Sequence, residues 1–259
     1  MSQQIPAANL AAGRMDSKLA AATGATAKAL VPLRGRPMID RILEAAAAAE
    51  TISDVRVVCS AGSPLLEHVG ALGVEASGPT FLDTIRTGLS ALGRPERMLV
   101  ITGDLGLITP AALDHFCGQA LQSDASIVYP IVRKEDSERA FPGAARTYAA
   151  FRDGPITGGN VTVLGRRFIE DQGGRLAQAF AARKNPLRLC GMLGWGFVVR
   201  LALGRLTLEE AAERVRHILA VPAVLVQSPY AEIGFDVDKP SHLAAAEAWL
   251  AAHEGPGAV

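Results

Sequence analysis

The sequence Leu10-Ala-Ala-Gly-Arg-Met15 follows a short apolar run, residues 5–10, near the start of the chain. The apolar run is typical of a buried strand, and the small residues Ala11, Ala12 and Gly13 allow the backbone to turn closely after it. Backbone N–H groups exposed in such a turn can approach phosphate oxygens without a side chain in the way. The pattern therefore predicts a strand that ends in a phosphate-binding loop.

Two cations of different kinds follow this loop. Arg14 has a planar fork that grips two phosphate oxygens, whereas Lys28 supplies a mobile point charge, so the two suit different phosphates. The glycine patterns of a Walker loop and of a Rossmann dinucleotide site are both missing. The alternative is a plain strand-to-helix turn with Arg14 and Lys28 solvated, and this segment alone does not separate the two interpretations.

Composition narrows the class of protein. The 259 residues include 26 Lys and Arg and 26 Asp and Glu, so the chain has no net positive charge to attract nucleic acid or an anionic membrane. No apolar run approaches the roughly 20 residues of a membrane helix, and the N-terminus lacks the order of a secretory signal. We expect a cytoplasmic protein with one domain over residues 1–259 and without nucleic-acid or membrane partners; its oligomeric state stays open.

Strand-like and helix-like segments alternate through the first half of the chain. Strands are predicted at 55–59, near 74 and at 98–102, and helices at 37–50, 64–69, 80–92 and 110–122. The second half predicts strands at 126–132, 146–152, 160–164, 223–227 and 233–236, a solvated loop at 133–139, helices at 166–183, 186–203 and 207–219, and a last helix at 240–252. This order predicts an α/β fold with a mostly parallel, doubly wound sheet and an added helical segment at about 166–219.

Carboxylates follow two of the predicted strands. Asp104 comes just after the apolar run at 98–102, at the sheet edge where ligands bind in open α/β sheets. Asp236 and Asp238 close a later strand, and their alternate positions allow both to face one side. Carboxylate and phosphate oxygens together suit Mg²⁺ or Mn²⁺, so these residues form a candidate metal–triphosphate site. The alternative is that Asp104 caps a loop and Asp238 begins the final helix.

Two loops are candidates for binding a second substrate. Gly158 and Gly159 allow close approach of a ligand, and Asn160 can donate and accept hydrogen bonds, although the same composition is common in turns. Lys184 lies in a basic segment that ends a predicted helix, where cations also complement the helix dipole. We assign these four residues to acceptor binding as a hypothesis.

Four motifs, in order, resemble those of the nucleotidyltransferases of the glycosyltransferase-A type fold, particularly molybdenum-cofactor guanylyltransferase and its relatives. They are Leu10-Ala-Ala-Gly-Arg-Met, Lys28-Ala-Leu-Val-Pro-Leu-Arg-Gly35-Arg-Pro-Met, Thr102-Gly-Asp104-Leu-Gly-Leu-Ile-Thr-Pro and Phe235-Asp236-Val-Asp238-Lys-Pro-Ser-His-Leu. The chain departs from the family pattern in having one glycine in the opening loop and Leu105-Gly106 in place of a residue–proline pair.

The resemblance implies a site and a reaction. Leu10, Ala11, Ala12, Gly13 and Thr80 would bind the nucleotide, Arg14 and Lys28 would neutralise the triphosphate, and Asp104 with Asp238, and less well Asp236, would bind the metal. The implied reaction moves a nucleoside monophosphate from a nucleoside triphosphate to a small, phosphorylated acceptor and releases pyrophosphate. A glycosyltransferase using nucleotide sugars and a non-catalytic nucleotide-binding regulator are the alternatives.

Overall fold

The computed structural model of the chain describes residues 3–182 and 194–254. In this part of the chain nine strands form one mixed sheet and two more form a small hairpin. In chain order the strands are β1 (Ile5–Leu10), the hairpin strands β2 (Pro32–Leu33) and β3 (Arg36–Pro37), β4 (Ile52–Cys59), β5 (Gly73–Glu75), β6 (Arg97–Thr102), β7 (Ile127–Arg133), β8 (Ala149–Phe151), β9 (Gly154–Gly158), β10 (Val161–Gly165) and β11 (Ala223–Gln227).

Helices connect most of these strands. In chain order they are α1 (Ser17–Thr23), α2 (Met38–Ala48), α3 (Leu65–Val69), α4 (Phe81–Ala91), α5 (Pro110–Leu121), α6 (Lys134–Ala140), α7 (Arg166–Ala182), α8 (Trp195–Ala202), α9 (Leu208–Leu219) and α10 (Pro240–His253). Short 3₁₀ helices cover Lys28–Leu30, Gly70–Leu72 and Ala231–Gly234. Over the residues that the structure describes, no helix is both long and apolar enough to cross a membrane.

The sheet order is β5-β4-β1-β6-β10-β7-β9-β8. The ninth strand, β11, lies off this path and pairs with β7. The pairs β5–β4, β4–β1, β1–β6 and β7–β11 are parallel, whereas β10 and β9 run antiparallel to their neighbours. The predicted α/β fold with a mostly parallel sheet is therefore confirmed. The carboxyl ends of β1, β6, β7 and β11 lie at one edge of this sheet, because these strands run in the same direction.

Apolar residues cover both faces of the sheet. The neighbouring residues Val100 and Ile101 of β6 belong to different buried clusters, because side chains alternate across a strand. The cluster of Ile101 includes Phe116 of α5, and the cluster of Val100 includes Phe168 of α7. Helices on both faces make the sheet doubly wound, and its open edge is left for a ligand.

Two predicted elements were wrong. Residues 133–139 are not a loop: α6 covers Lys134–Ala140, with acidic residues in its first turn and Arg139 in its last, as the helix dipole favours. Residues 233–236 are not a strand, because bonds from the Ile233 N–H to Tyr230 and from the Phe235 N–H to Glu232 close a 3₁₀ turn. The predicted strand 146–152 is shortened to β8, and β9 was not predicted. Parts of the predicted helices 166–183 and 186–203 lie outside the described residues.

Candidate active site

The loops after β1 and β6 are held together by their backbones. The Gly103 N–H donates to the Leu10 carbonyl over 3.0 Å. A Cβ on Gly103 would lie 2.9 Å from the Ala11 Cα, so only glycine permits this approach. Asp104, the next residue, is therefore held beside the loop predicted to bind phosphate.

The C-terminal acidic segment joins the same edge through three backbone bonds. The Val237 N–H donates to the Asp104 carbonyl over 3.1 Å, and the Asn160 N–H donates to the Ile233 carbonyl over 2.9 Å. The Thr102 N–H in turn donates to the Asn160 carbonyl over 3.1 Å. These bonds align the segment that carries Asp236 and Asp238 with the end of β6.

Asp104, Asp236 and Asp238 form an acidic cluster in which one carboxylate oxygen from each lies within 4.8 Å of the others. The Lys28 ammonium donates to Asp104 Oδ2 over 2.5 Å and also to Asp238 Oδ1. Thr102 Oγ1 donates to the other oxygen of Asp104 over 2.5 Å. The tertiary fold thus brings together Lys28 and all three carboxylates predicted from the sequence.

The charges of these groups perturb one another. Burial acts to lower the pKa of Lys28, but the charge and hydrogen bonds of Asp104 and Asp238 outweigh it, so this pKa is raised and the ammonium stays charged. Burial, with the neighbouring Asp238 carboxylate, raises the pKa of Asp236 to about 6. Burial would also raise the pKa of Asp238, but its hydrogen bonds with Asp236 and Lys28 lower it to about 2. Asp238 and Lys28 therefore both carry charge at neutral pH and form an ion pair in the cluster.

Arg146 belongs to the site and was not singled out from the sequence. Its side chain is about one-tenth exposed, and its Nη2 donates to the Gly234 carbonyl and lies 3.5 Å from Asp236 Oδ1. The guanidinium carbon also lies 5.3 Å from the centre of the Phe235 ring. Arg146 comes from the loop between α6 and β8, and no local pattern in that loop indicates a partner near the C-terminus.

The opening loop retains free backbone donors, although fewer than predicted. The Ala11 N–H is already bonded to the Val58 carbonyl over 2.9 Å. The N–H groups of residues 12–15 make no hydrogen bond within the described part of the chain, and the exposed Arg14 side chain has no partner there. Gly13 does not have a positive φ, and a Cβ on it would meet nothing within 4 Å. The loop is therefore open to a ligand.

The remaining predicted binding residues have structural partners of their own. Thr80 caps α4 in a reciprocal pair with Asp83, and it does not contact the acidic cluster through any bond among the described residues. A Cβ on Gly158 would lie 2.4 Å from the Tyr129 hydroxyl, and one on Gly159 would lie 2.6 Å from Pro130 Cγ. Their roles in substrate binding stay predictions. Lys184 lies outside the described residues.

Close packing accounts for one departure from the family pattern. A Cβ on Gly106 would lie 2.5 Å from Leu33 Cδ1 and 2.7 Å from Met38 Cγ. Leu105, just before it, is fully buried. In this chain the segment after Asp104 therefore packs against Leu33 of β2 and Met38 of α2, with no room for a side chain at residue 106.

The donor set of the acidic cluster fits a hard divalent cation. Mg²⁺ and Mn²⁺ prefer oxygen ligands, and three carboxylate oxygens within 4.8 Å of one another supply them. All three residues are partly exposed, so water and phosphate oxygens can complete a coordination shell. The residues that would hold the ion are Asp104, Asp236 and Asp238.

Comparison with solved structures supports this fold. A hypothetical transferase from Thermus thermophilus is 37% identical, with a TM-score of 0.79 over 93% of this chain and 100% of that one. CMP:2-keto-3-deoxy-manno-octonic acid synthetase complexed with CTP has 13% identity and a TM-score of 0.59, covering 97% and 100% of the two chains. A 4-diphosphocytidyl-2C-methyl-D-erythritol synthase has 16% identity and a TM-score of 0.58, covering 96% and 99%.

No curated protein sequence matches the chain significantly. Residues 10–189, more than half of the chain, match the family model of the MobA-like NTP transferase domain. This range contains the opening loop, Lys28, Asp104 and the Gly158–Asn160 loop. The chain therefore belongs to the MobA-like NTP transferase family and is a nucleotidyltransferase.

Proposed function

We propose that the protein transfers a nucleoside monophosphate from a nucleoside triphosphate to a small, phosphorylated acceptor, with Mg²⁺ or Mn²⁺ bound and pyrophosphate released. The observation that carries this proposal is the contact of Lys28 with Asp104 and Asp238 beside the unpaired N–H groups of residues 12–15. This arrangement combines anion donors and metal ligands at one sheet edge, as a metal-bound triphosphate requires. The structural neighbour solved with CTP has the same fold and supports a triphosphate as donor.

The chain's own residues would act by binding and alignment. The N–H groups of residues 12–15 and the Arg14 guanidinium would bind the phosphates, and Lys28 would neutralise charge that develops on the leaving pyrophosphate. Asp104, Asp236 and Asp238 would hold the divalent ion, which when bound supplies Lewis-acid stabilisation of phosphate oxygens. Phosphoryl chemistry of this kind needs positioning and charge stabilisation, and no covalent intermediate with the protein.

The acceptor would enter from the side of β9 and β10. Asn160 immediately precedes β10, its carbonyl accepts a hydrogen bond from the Thr102 N–H, and its buried Nδ2 has no hydrogen-bond partner among the described residues. An amide donor in this position suits an oxygen-rich acceptor. Two structural neighbours, the CMP:2-keto-3-deoxy-manno-octonic acid synthetase and the 4-diphosphocytidyl-2C-methyl-D-erythritol synthase, are named for products that contain a small molecule, which supports a small acceptor here.

The test begins with the four nucleoside triphosphates, each screened for Mg²⁺-dependent thermal stabilisation. Candidate phosphorylated acceptors are then added and pyrophosphate is measured. Asp104→Ala should lower turnover by about 10²–10³-fold, the effect of removing a preorganised electrostatic group. Asp124→Ala is the matched control, because Asp124 is exposed and precedes β7 at the opposite edge of the sheet.

Two results would contradict the proposal. Near-normal turnover in folded Asp104→Ala protein would show that the acidic cluster does not take part in the reaction. Product formation from a nucleotide sugar, with a nucleoside diphosphate released and no pyrophosphate, would identify a glycosyltransferase instead.

A further inference from the structure

The Lys28 ammonium lies where a metal ion would bind. It contacts carboxylate oxygens of both Asp104 and Asp238, which belong to the cluster whose oxygens lie within 4.8 Å of one another. Its side chain is 11% exposed, and those of Asp104 and Asp238 are 18% and 46% exposed, so the lysine lies on the inner side of the cluster and Asp238 stays open to solvent.

The acidic cluster has cationic partners from the chain itself. Lys28 pairs with Asp104 and Asp238, and Arg146 pairs with Asp236. A divalent ion that bound among these carboxylates would face the ammonium at close range, and like charges repel strongly where water is partly excluded. Metal binding and the present position of Lys28 are therefore mutually unfavourable.

A triphosphate bound at the opening loop would offer Lys28 an alternative partner. Lysine is a point charge on a flexible stem with rotatable donors, so it can exchange one anionic partner for another. The loop after β1 packs against Gly103, next to Asp104, and its free N–H groups mark the expected place of the phosphates. A triphosphate bound there would compete for the ammonium with the carboxylates.

We propose that Lys28 is an exchangeable counter-ion of the metal site. In the nucleotide-free protein it occupies Asp104 and Asp238 and weakens the binding of a divalent ion; the triphosphate draws it away and opens both carboxylates to the metal. The triphosphate half of this exchange rests on the proposed function. Metal and nucleotide then bind with positive coupling, and the coupling is the same in both directions.

The first experiment measures Mn²⁺ binding without nucleotide, by calorimetry and by the electron paramagnetic resonance signal of free Mn²⁺. Lys28→Met and Lys28→Gln remove the ammonium and keep most of the stem. We expect both to bind Mn²⁺ about tenfold more tightly than wild type, equivalent to about 1.4 kcal/mol. Lys18→Met is the control, because Lys18 is exposed in α1 and its removal changes net charge equally.

A second experiment uses only the wild-type protein, in case the substitutions impair folding. Lysines are acylated briefly with and without saturating Mn²⁺, and modification is quantified by mass spectrometry. Displacement of the ammonium by the ion should raise the labelling of Lys28, whereas the labelling of Lys18 should stay constant.

Each result supports or overturns the role of Lys28 as a counter-ion that competes with the metal. Tighter Mn²⁺ binding in the folded Lys28 variants, beyond that of Lys18→Met, and faster labelling of Lys28 support it. Equal, weaker or undetectable Mn²⁺ binding in these variants, or unchanged labelling, overturns it. Because neither measurement contains nucleotide or acceptor, this outcome is independent of the pyrophosphate assay, which alone decides the proposed reaction.

Discussion

Gly103 packs so closely on Ala11 that a Cβ on Gly103 would lie 2.9 Å from the Ala11 Cα and 3.1 Å from its Cβ. The Gly103 N–H also donates to the carbonyl of Leu10, the last residue of β1. This contact sets the distance between the opening loop and Asp104, and hence between the expected phosphates and the proposed metal ligands.

Gly103→Ala should disturb the site and the fold together. The added methyl meets backbone atoms that cannot rotate away, so we expect a loss of about 1–3 kcal/mol in the free energy of unfolding, together with lower turnover. Urea unfolding and the pyrophosphate assay measure the two effects. Gly118→Ala is the control, because a Cβ at that position in α5 meets nothing within 4 Å; equal stability of the two variants would contradict the packing argument.

Arg14→Ala should weaken nucleotide binding without affecting stability. Arg14 is exposed and unpaired within the described residues, so its only predicted partner is a phosphate. We expect the KM for the nucleoside triphosphate to rise about tenfold, with little change in kcat, as for an interaction made equally in the ground and transition states. Arg167→Ala, at the opposite sheet edge, is the control. An unchanged KM in Arg14→Ala would show that Arg14 does not bind the nucleoside triphosphate.

Arg146→Ala should destabilise the segment that carries Asp236. The substitution leaves the Gly234 carbonyl and the Asp236 carboxylate without their donor, and we expect a loss of about 1–3 kcal/mol in unfolding free energy. Arg139→Ala removes a surface arginine that is 76% exposed and that pairs, among the described residues, with Asp136 alone, and it should change stability by less than about 0.5 kcal/mol. Equal effects of the two substitutions would contradict the anchoring role of Arg146.

Buried thiols should make the protein sensitive to alkali. Burial raises the pKa of Cys117 to about 12 and that of Cys59 to about 11. Because thiols in the unfolded chain ionise near pH 8.5, the unfolded state loses protons first. This contribution to stability is therefore complete below about pH 8.5 and is lost as the pH rises towards the folded pKa, by up to about 1.4 kcal/mol per pH unit for each thiol.

Cys117→Ala tests this pH dependence. Urea unfolding of wild type and variant is compared at several pH values from neutrality into the alkaline range. Loss of the buried sulfur atom lowers the free energy of unfolding equally at every pH. Loss of the titrating group makes the fall of that free energy with rising pH shallower in the variant than in wild type. Parallel stability curves for the two proteins would show that Cys117 does not contribute.

The local sequence pattern predicted individual strands and helices correctly wherever an element's residues alone determine its conformation. The apolar run before Asp104 is β6, and Thr109 and Pro110 begin α5 with the expected cap. The failures have a physical cause. Residues 133–139 are too polar to show an apolar face, yet their charges match a helix dipole. Residues 233–236 are apolar enough for a strand, but the closure of a 3₁₀ turn uses their backbone donors.

Apart from Arg146, the residue types of the site, and the alternation of strands and helices that supports them, could be inferred from the chain alone, because both depend on short-range periodicity and on motifs. Their mutual contacts depended on the folded chain. Lys28 is 76 residues from Asp104 and 210 from Asp238, and Arg146 is 90 from Asp236. No local pattern predicts contacts between residues so far apart in the chain. The sheet order and the hydrogen bonds between loop backbones bring these charges together, and the exchange proposed for Lys28 depends on that contact.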